Sequence, residues 1–278
     1  MYFFIPIIIV LIYLFLIFPN PVPKNRRKAF IHGLFAHRGL YLKDQSVPEN
    51  STKAFKLAVE NGYGIELDVQ LSSDNHVVVF HDDDFMRSSG KNIQVHDLTF
   101  KQIQNEIRLF GTEYTLPEFS EVLQIVNGQV PLIIELKSSK YWKLLCIKTL
   151  DALKDYQGEY CIESFDPFIV RWFKINAKNI VRGQLAKRAR YSSSKKKNIV
   201  SFAASRLLFN FLSRPHFIAY EVGQKPLSVK FAERLGAFRV AWTVHEKDIN
   251  SKFLAENDDV IFEHFYPNHN LFDIDLNT

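Results

Sequence analysis

The sequence predicts a single α/β domain built on a parallel sheet, and three observations carry that expectation. Strand-like and helix-like patterns alternate from Gly33 onward, as in strand–helix–strand units. The chain has 278 residues, 47% of them hydrophobic, which suits one barrel-sized core and is too little for two comfortable ones. Four successive strand ends carry ionisable groups, the polarity expected where the strands of a closed barrel converge on one mouth.

Taken in order, the first element is an apolar run. Residues 1–19 contain no charged side chain, and as a helix rising about 1.5 Å per residue they approach the ~30 Å hydrocarbon core. No basic residue precedes the run and no small-residue cleavage site follows it, so an uncleaved transmembrane anchor over 1–20 is expected rather than a signal peptide. A core helix would show a polar face; this run has none. Lys24, Arg26, Arg27 and Lys28 follow within a proline-containing linker, 21–32. The positive-inside rule then places the remaining domain, 33–278, on the cytoplasmic side of a membrane.

Strands are expected at 34–36, 64–70, 77–80, 131–136, 160–162, 180–185, 217–220 and 237–242, with 259–262 as one too many for eight. Helices are expected at 52–61, capped by Asn50 or Ser51, at 116–126 with Pro117 in its first turn, and at 227–235, ended by Gly236. An excursion at 82–115 follows the third strand. A second interruption, 187–214, holds eight Lys or Arg and no acid. It either rests on anionic lipid through Lys187, Arg188, Arg190 and Lys195 to Lys197 with Leu207, Leu208, Phe209, Phe211 and Leu212 dipping in, or forms a loop followed by an amphipathic barrel helix.

Charged residues make up 23% of the chain and the net charge is +5, which alone does not choose among nucleic acid, anionic lipid and phosphorylated small molecules. Cys146 and Cys161 lack the spacing of a zinc or redox motif, so a metal would be held by oxygen and perhaps imidazole ligands.

The chemistry sits at the strand ends. His37 and Arg38 end the first strand and His81 the third. Glu66 and Asp68 lie two apart on the second, hence on one face, and Glu135 and Lys137 repeat the spacing on the fourth. Glu66, Asp68 and Glu135 crowded together must raise their own pKa values or bind a cation, and an all-carboxylate set suits Mg²⁺ or Ca²⁺. Arg38 and Lys137 offer positive charge to a phosphate. His37 and His81 can donate and accept a proton near neutral pH. Singly, each residue reads as solvated or structural; their recurrence at four strand ends is what points to a phosphodiester site.

At these residues the chain resembles the glycerophosphodiester phosphodiesterase family: AHRG at 36–39, PENS at 48–51, GIELDVQLSSD at 64–74, VVVFHDDDFMRSSG at 77–90, TLPEFSEVL at 115–123 and LIIELK at 132–137. Weaker matches are ESFDP at 163–167 and VAWTV at 240–244. The resemblance implies a (β/α)8 TIM barrel with a small insertion after its third strand. It implies metal-dependent hydrolysis of glycerophosphodiesters to sn-glycerol 3-phosphate and an alcohol, or a lysophospholipase D-like variant acting on lysophospholipids at the bilayer. Nucleic acid is not an expected partner. By position it gives Glu66, Asp68 and Glu135 as metal ligands, His37 and His81 as the acid–base pair, Arg38 and Lys137 as phosphate-binding, Glu49 as lining the site, and Trp242 as a pocket aromatic or a core tryptophan. The family's Thr-Asp at the last strand end is replaced by Glu263-His264. A barrel that had lost turnover and kept a binding role is the alternative, against which the intact, self-repelling acid set argues.

Overall fold

The structure, a computed structural model, describes residues 4–22, 30, 33–190 and 194–272. It opens with helix α1 (Phe4–Ile17), whose 14 residues are all apolar or aromatic. At about 1.5 Å per residue it falls short of the ~30 Å hydrocarbon core. Among the described residues no helix is long and apolar enough to cross a membrane. The expected transmembrane span over 1–20 is corrected accordingly. Pro19 biases Phe18 away from helical geometry, and the Asn20 N–H donates to the Pro215 carbonyl at 2.8 Å, tying the chain to the barrel. The basic cluster Lys24 to Lys28 lies outside the described residues.

The strands are β1 (Leu34–Ala36), β2 (Gly64–Leu71), β3 (Val77–Val79), β4 (Asp84–Phe85), β5 (Lys91–Gln94), β6 (Leu132–Leu136), β7 (Tyr160–Ser164), β8 (Val181–Ala186), β9 (Phe217–Glu221), β10 (Phe238–Val244) and β11 (Asp259–Phe262). Nine of them form one sheet, eight in parallel, and the pairings β1–β2 and β1–β11 close those eight into a barrel. All nine expected strands are therefore present. The surplus one is β3, which pairs antiparallel to β2 (Val69 opposite Val79, Leu71 opposite Val77) and is no barrel stave. A parallel return needs a crossover of a dozen or more residues, and only residues 72–76 separate the two strands.

The helices are α2 (Thr52–Glu60), α3 (Met86–Ser89), α4 (Phe100–Glu106), α5 (Phe119–Val126), α6 (Trp142–Ala152), α7 (Pro167–Asn176), α8 (Lys195–Ser205), α9 (Asn210–Ser213), α10 (Leu227–Arg234) and α11 (Ser251–Glu256). Ser51, not Asn50, caps α2, its hydroxyl accepting from the Ala54 N–H. The helix expected from 116 begins only at Phe119. Upstream of it Val79 N–H donates to the Pro117 carbonyl, and Glu118 bridges Val78, so these residues extend β3 sideways instead.

Alternation on the strands separates two layers. Ile65, Leu67 and Val69 of β2 face outward into the helix-covered core with Leu132, Ile134 and Leu136 of β6. Phe35, Ile133, Cys161, Leu185, Phe217 and Ile261 fill the barrel interior. Two glycines make room for its largest rings: a Cβ on Gly64 would sit 2.6 Å from the Phe35 ring, and one on Gly183 2.1 Å from that of Phe217. Residues 82–115 pack around a separate small core of Phe80, Phe85, Val95, Ile103, Ile107 and Leu109. In the basic segment, Leu207 is buried and Phe211 packs on Phe15, so these two face protein rather than solvent.

Candidate active site

Above the apolar interior, the same inward-facing positions turn polar at the strands' C-terminal ends. Asp68 of β2 stands opposite Glu135 of β6, which stands opposite Glu163 of β7. Glu66, Asp68 and Glu135 each bring an oxygen to within 4.8 Å of the others. The expected ligand set therefore converges.

Burial and mutual repulsion act on this set together. Burial, then the charges of Asp68, Glu135 and Glu163, push Glu66 well above the ordinary glutamate range. Burial likewise raises Glu135, against the pull of Lys137. Asp68 is held far below its usual value: burial works to raise it, but Lys137, His81, Arg38 and a hydrogen bond from Asn50 outweigh that. Glu163 is raised well above normal by burial and the neighbouring acids, and its Oε2 has no partner among the described residues. Such a set is short of positive charge. Its donors are all carboxylate oxygens, so it fits a hard divalent cation.

Cations and imidazoles ring the acids. Lys137 Nζ lies 3.0 Å from Glu135 Oε1 and 3.3 Å from Asp68 Oδ1. Arg38 donates to Glu49 Oε1 at 2.7 Å, its Nε lies 3.5 Å from Asp68, and its backbone N–H donates to Glu66 at 3.0 Å. His37 Nε2 lies 3.9 Å from Glu66, while its Nδ1 is 2.7 Å from Glu263 Oε2. His81 is set not by a barrel strand but by β3, whose successor Phe80 donates its N–H to the Asp68 carbonyl. Its Nδ1 lies 2.6 Å from Asp82 Oδ1. Each histidine thus has its Nδ1 on a carboxylate, the arrangement that orients the ring and fixes a tautomer.

Trp242, at the end of β10, donates its indole N–H to the Ala219 carbonyl and meets Phe165 edge-on at 5.5 Å. It is half-buried at the upper edge of the interior core, between the two roles expected for it.

Five further residues belong to the arrangement. Asn50 donates to Asp68 Oδ2 at 2.9 Å. Arg87, from the excursion, bridges Asp82 and Glu49. Glu263 accepts from the Tyr41 hydroxyl at 2.7 Å as well as facing His37. Glu163 has the same inward parity as Cys161 and could have been read from its strand; Asp82 sits beside His81 and could not be told from a solvated acid. Glu263 is also faced by His245 and His264 at 3.7 and 3.8 Å.

A closed parallel barrel with an acid cluster and paired imidazoles at its mouth defines a (β/α)8 protein equipped to hold a cation and a phosphate. Residues 37–265 match the glycerophosphoryl diester phosphodiesterase family, and the chain belongs to that family. Over 163 residues it is 35% identical to a glycerophosphodiester phosphodiesterase of Caldanaerobacter subterraneus subsp. tengcongensis, covering 55% of this chain and 65% of that protein. It is 28% identical to the lysophospholipase D GDPD1 of Rattus norvegicus over 53% of this chain and 49% of that one. The chain thus spans less than two thirds of either relative. An Oleispira antarctica phosphodiesterase, solved in complex with the product sn-glycerol-3-phosphate, shares the fold with a TM-score of 0.67 at 19% identity, over 84% of this chain and 94% of that one.

Proposed function

We propose that this chain is a divalent-metal-dependent phosphodiesterase that hydrolyses glycerophosphodiesters to sn-glycerol 3-phosphate and an alcohol. The observation that carries the reading is the convergence of Glu66, Asp68 and Glu135 between His37 and His81. These three carboxylates would hold Mg²⁺ or Ca²⁺. Such an ion, when bound, acidifies an attacking hydroxyl or water and offsets charge on the phosphoryl oxygens.

The chain's own groups do the rest. Arg38 and Lys137 neutralise the phosphate, and Glu49, clamped by Arg38 and Arg87, keeps the Arg38 fork aimed. One histidine takes the proton of the attacking oxygen. The other gives a proton to the departing alcohol oxygen as its bond to phosphorus breaks. A cleft of about 320 Å³ beside Lys137, lined by Gln70, His96 and Tyr141, would take the alcohol portion. Trp242 would flank the glycerol side.

Exposed apolar side chains along α1, from Ile5 to Ile12, support association with a membrane. A lysophospholipase D activity is the second reading, favoured by relatives with that activity, the rat protein among them.

Incubating the protein with glycerophosphocholine and lysophosphatidylcholine, under Mg²⁺, Ca²⁺ or chelator, tests the reading. Release of glycerol 3-phosphate that stops with chelator is expected, and is expected to be absent in His37→Ala and His81→Ala. Inactivity on both substrates with either ion leaves only a binding role.

A further inference from the structure

The closed end of the barrel carries a cation set that the proposed chemistry does not use. A cleft of about 470 Å³ opens there between residues 18–20, at the foot of α1, and Lys174, Lys178, Arg182 and Arg214. Every charged side chain lining it is positive. Lys178 precedes β8, Arg182 is that strand's second residue, and Arg214 precedes β9, so the cleft lies at the strands' N-terminal ends, opposite the mouth.

Arg182 is the anomaly. It is 2% exposed, its Nη2 donates to the Arg214 carbonyl at 3.2 Å, and its Nε has no partner. Among the described residues no carboxylate pairs with it or with the other three cations. A guanidinium buried without a counter-charge is costly unless something completes it. Burial pulls Arg182 down to about 10, and Lys174 is lowered by burial and by repulsion from Arg214, Arg171 and Arg182. Arg214 has a structural duty, donating to the Phe15 and Phe18 carbonyls at the end of α1. Lys174 Nζ likewise donates to the Leu212 carbonyl at 3.3 Å, and neither duty accounts for Lys178 or for the buried Arg182.

What stands beside the cleft selects the missing anion. The apolar helix α1 leaves from the same place, with Ile7, Ile9 and Leu11 at 56–61% exposure. Only an anion joined to hydrocarbon satisfies both features: its phosphate on the cations, its chains along the helix.

We propose that the closed end of the barrel seats on an anionic phospholipid surface, with a lipid phosphate in this cleft and α1 among the acyl chains, so that the mouth opens toward water. The inference rests on the membrane-association reading above and makes it directional. It assigns the active site to substrates drawn from solution.

Vesicles of phosphatidylcholine, with and without phosphatidylglycerol, test it by co-sedimentation with the full chain. The Lys174→Gln/Lys178→Gln variant is expected to bind the phosphatidylglycerol vesicles roughly 25-fold more weakly, about fivefold for each charge removed. It should hydrolyse glycerophosphocholine in solution at the unaltered rate. Lys178→Gln alone, at an exposed position, should show the fivefold loss should the double variant misfold. Equal binding by variants and parent would overturn the cleft's role while leaving membrane association standing. No vesicle binding by the parent would remove both. Inorganic phosphate titrated into the full chain, bound there and lost in the variant without any vesicle preference, would make this a free-phosphate site and overturn the lipid.

Discussion

Glu263 holds the His37 ring from one side and the Tyr41 hydroxyl from the other, so its removal would act on the histidine rather than on the substrate. Glu263→Gln is expected to lower kcat by about 10²-fold while KM changes little, because a free imidazole samples orientations that cannot pass a proton. Steady-state kinetics across a pH series would check it; a change confined to KM would contradict the positioning role. The same residue predicts an acid sensitivity. Burial works to raise its carboxyl, but the hydrogen bond and charge of His37 and the Tyr41 hydroxyl hold it down to about 2. A depressed carboxyl stabilises the fold above its ordinary value near 4.5, and that contribution is lost as the pH falls toward 2. Thermal melts over this window should drop further for the parent than for Glu263→Gln. Arg87 acts through Glu49 and Asp82, with both of which it pairs. Arg87→Ala should free Glu49 and Asp82 together, raising KM by about tenfold, in line with the loss of a charge-assisted contact of about 1.4 kcal/mol.

At the level of strands and helices, the interior ring of β8 and β9 admits no extra atom. Gly183→Ala would put a methyl 2.1 Å from the Phe217 ring, itself fully buried. Overpacking of this kind costs on the order of 1–3 kcal/mol, which a denaturant titration would read as a lowered midpoint with an unchanged slope. Strands β2 and β6 are the most legible, because their outward faces are uninterrupted Ile, Leu and Val. Strand direction is not legible in the same way. The five residues between β2 and β3 exclude a parallel crossover, but apolar content alone does not report direction. Helix α6 carries no clear stripe in the sequence, because Trp142, Lys143 and Ile147 spread apolar and charged groups around the axis. The acids proposed as ligands are readable from parity on a strand. Asn50, Arg87 and Glu263 are not, since their roles arise from loops meeting across 18 to 226 residues of sequence.

Over the whole molecule, the two ends of the barrel differ in charge balance. At the C-terminal mouth carboxylates are met by Arg38 and Lys137, whereas the charged groups lining the cleft at the opposite end, near α1, are all cations. Occupation of the acid cluster by Mg²⁺ or Ca²⁺ relieves repulsion that the folded state alone must bear, so it should raise the melting temperature. By mass action an ion at about 100 times its Kd contributes about 2.7 kcal/mol. Calorimetry with and without chelator checks this; an unchanged melting temperature with saturating ion would argue against the carboxylates as ligands.

The excursion at 82–115 owns a core of its own, yet it supplies Asp82 and Arg87 and directly follows His81. Half of the proposed proton-transfer apparatus therefore depends on a satellite whose packing is nearly separable from that of the staves. Satellites of this size open at lower cost than the body they decorate. On slow heating, turnover should fade several degrees before the far-ultraviolet circular dichroism of the barrel collapses, and it should recover fully on cooling from that interval. Warmth would then work as a reversible brake, set by a few buried aromatic and branched side chains rather than by the scaffold beneath them.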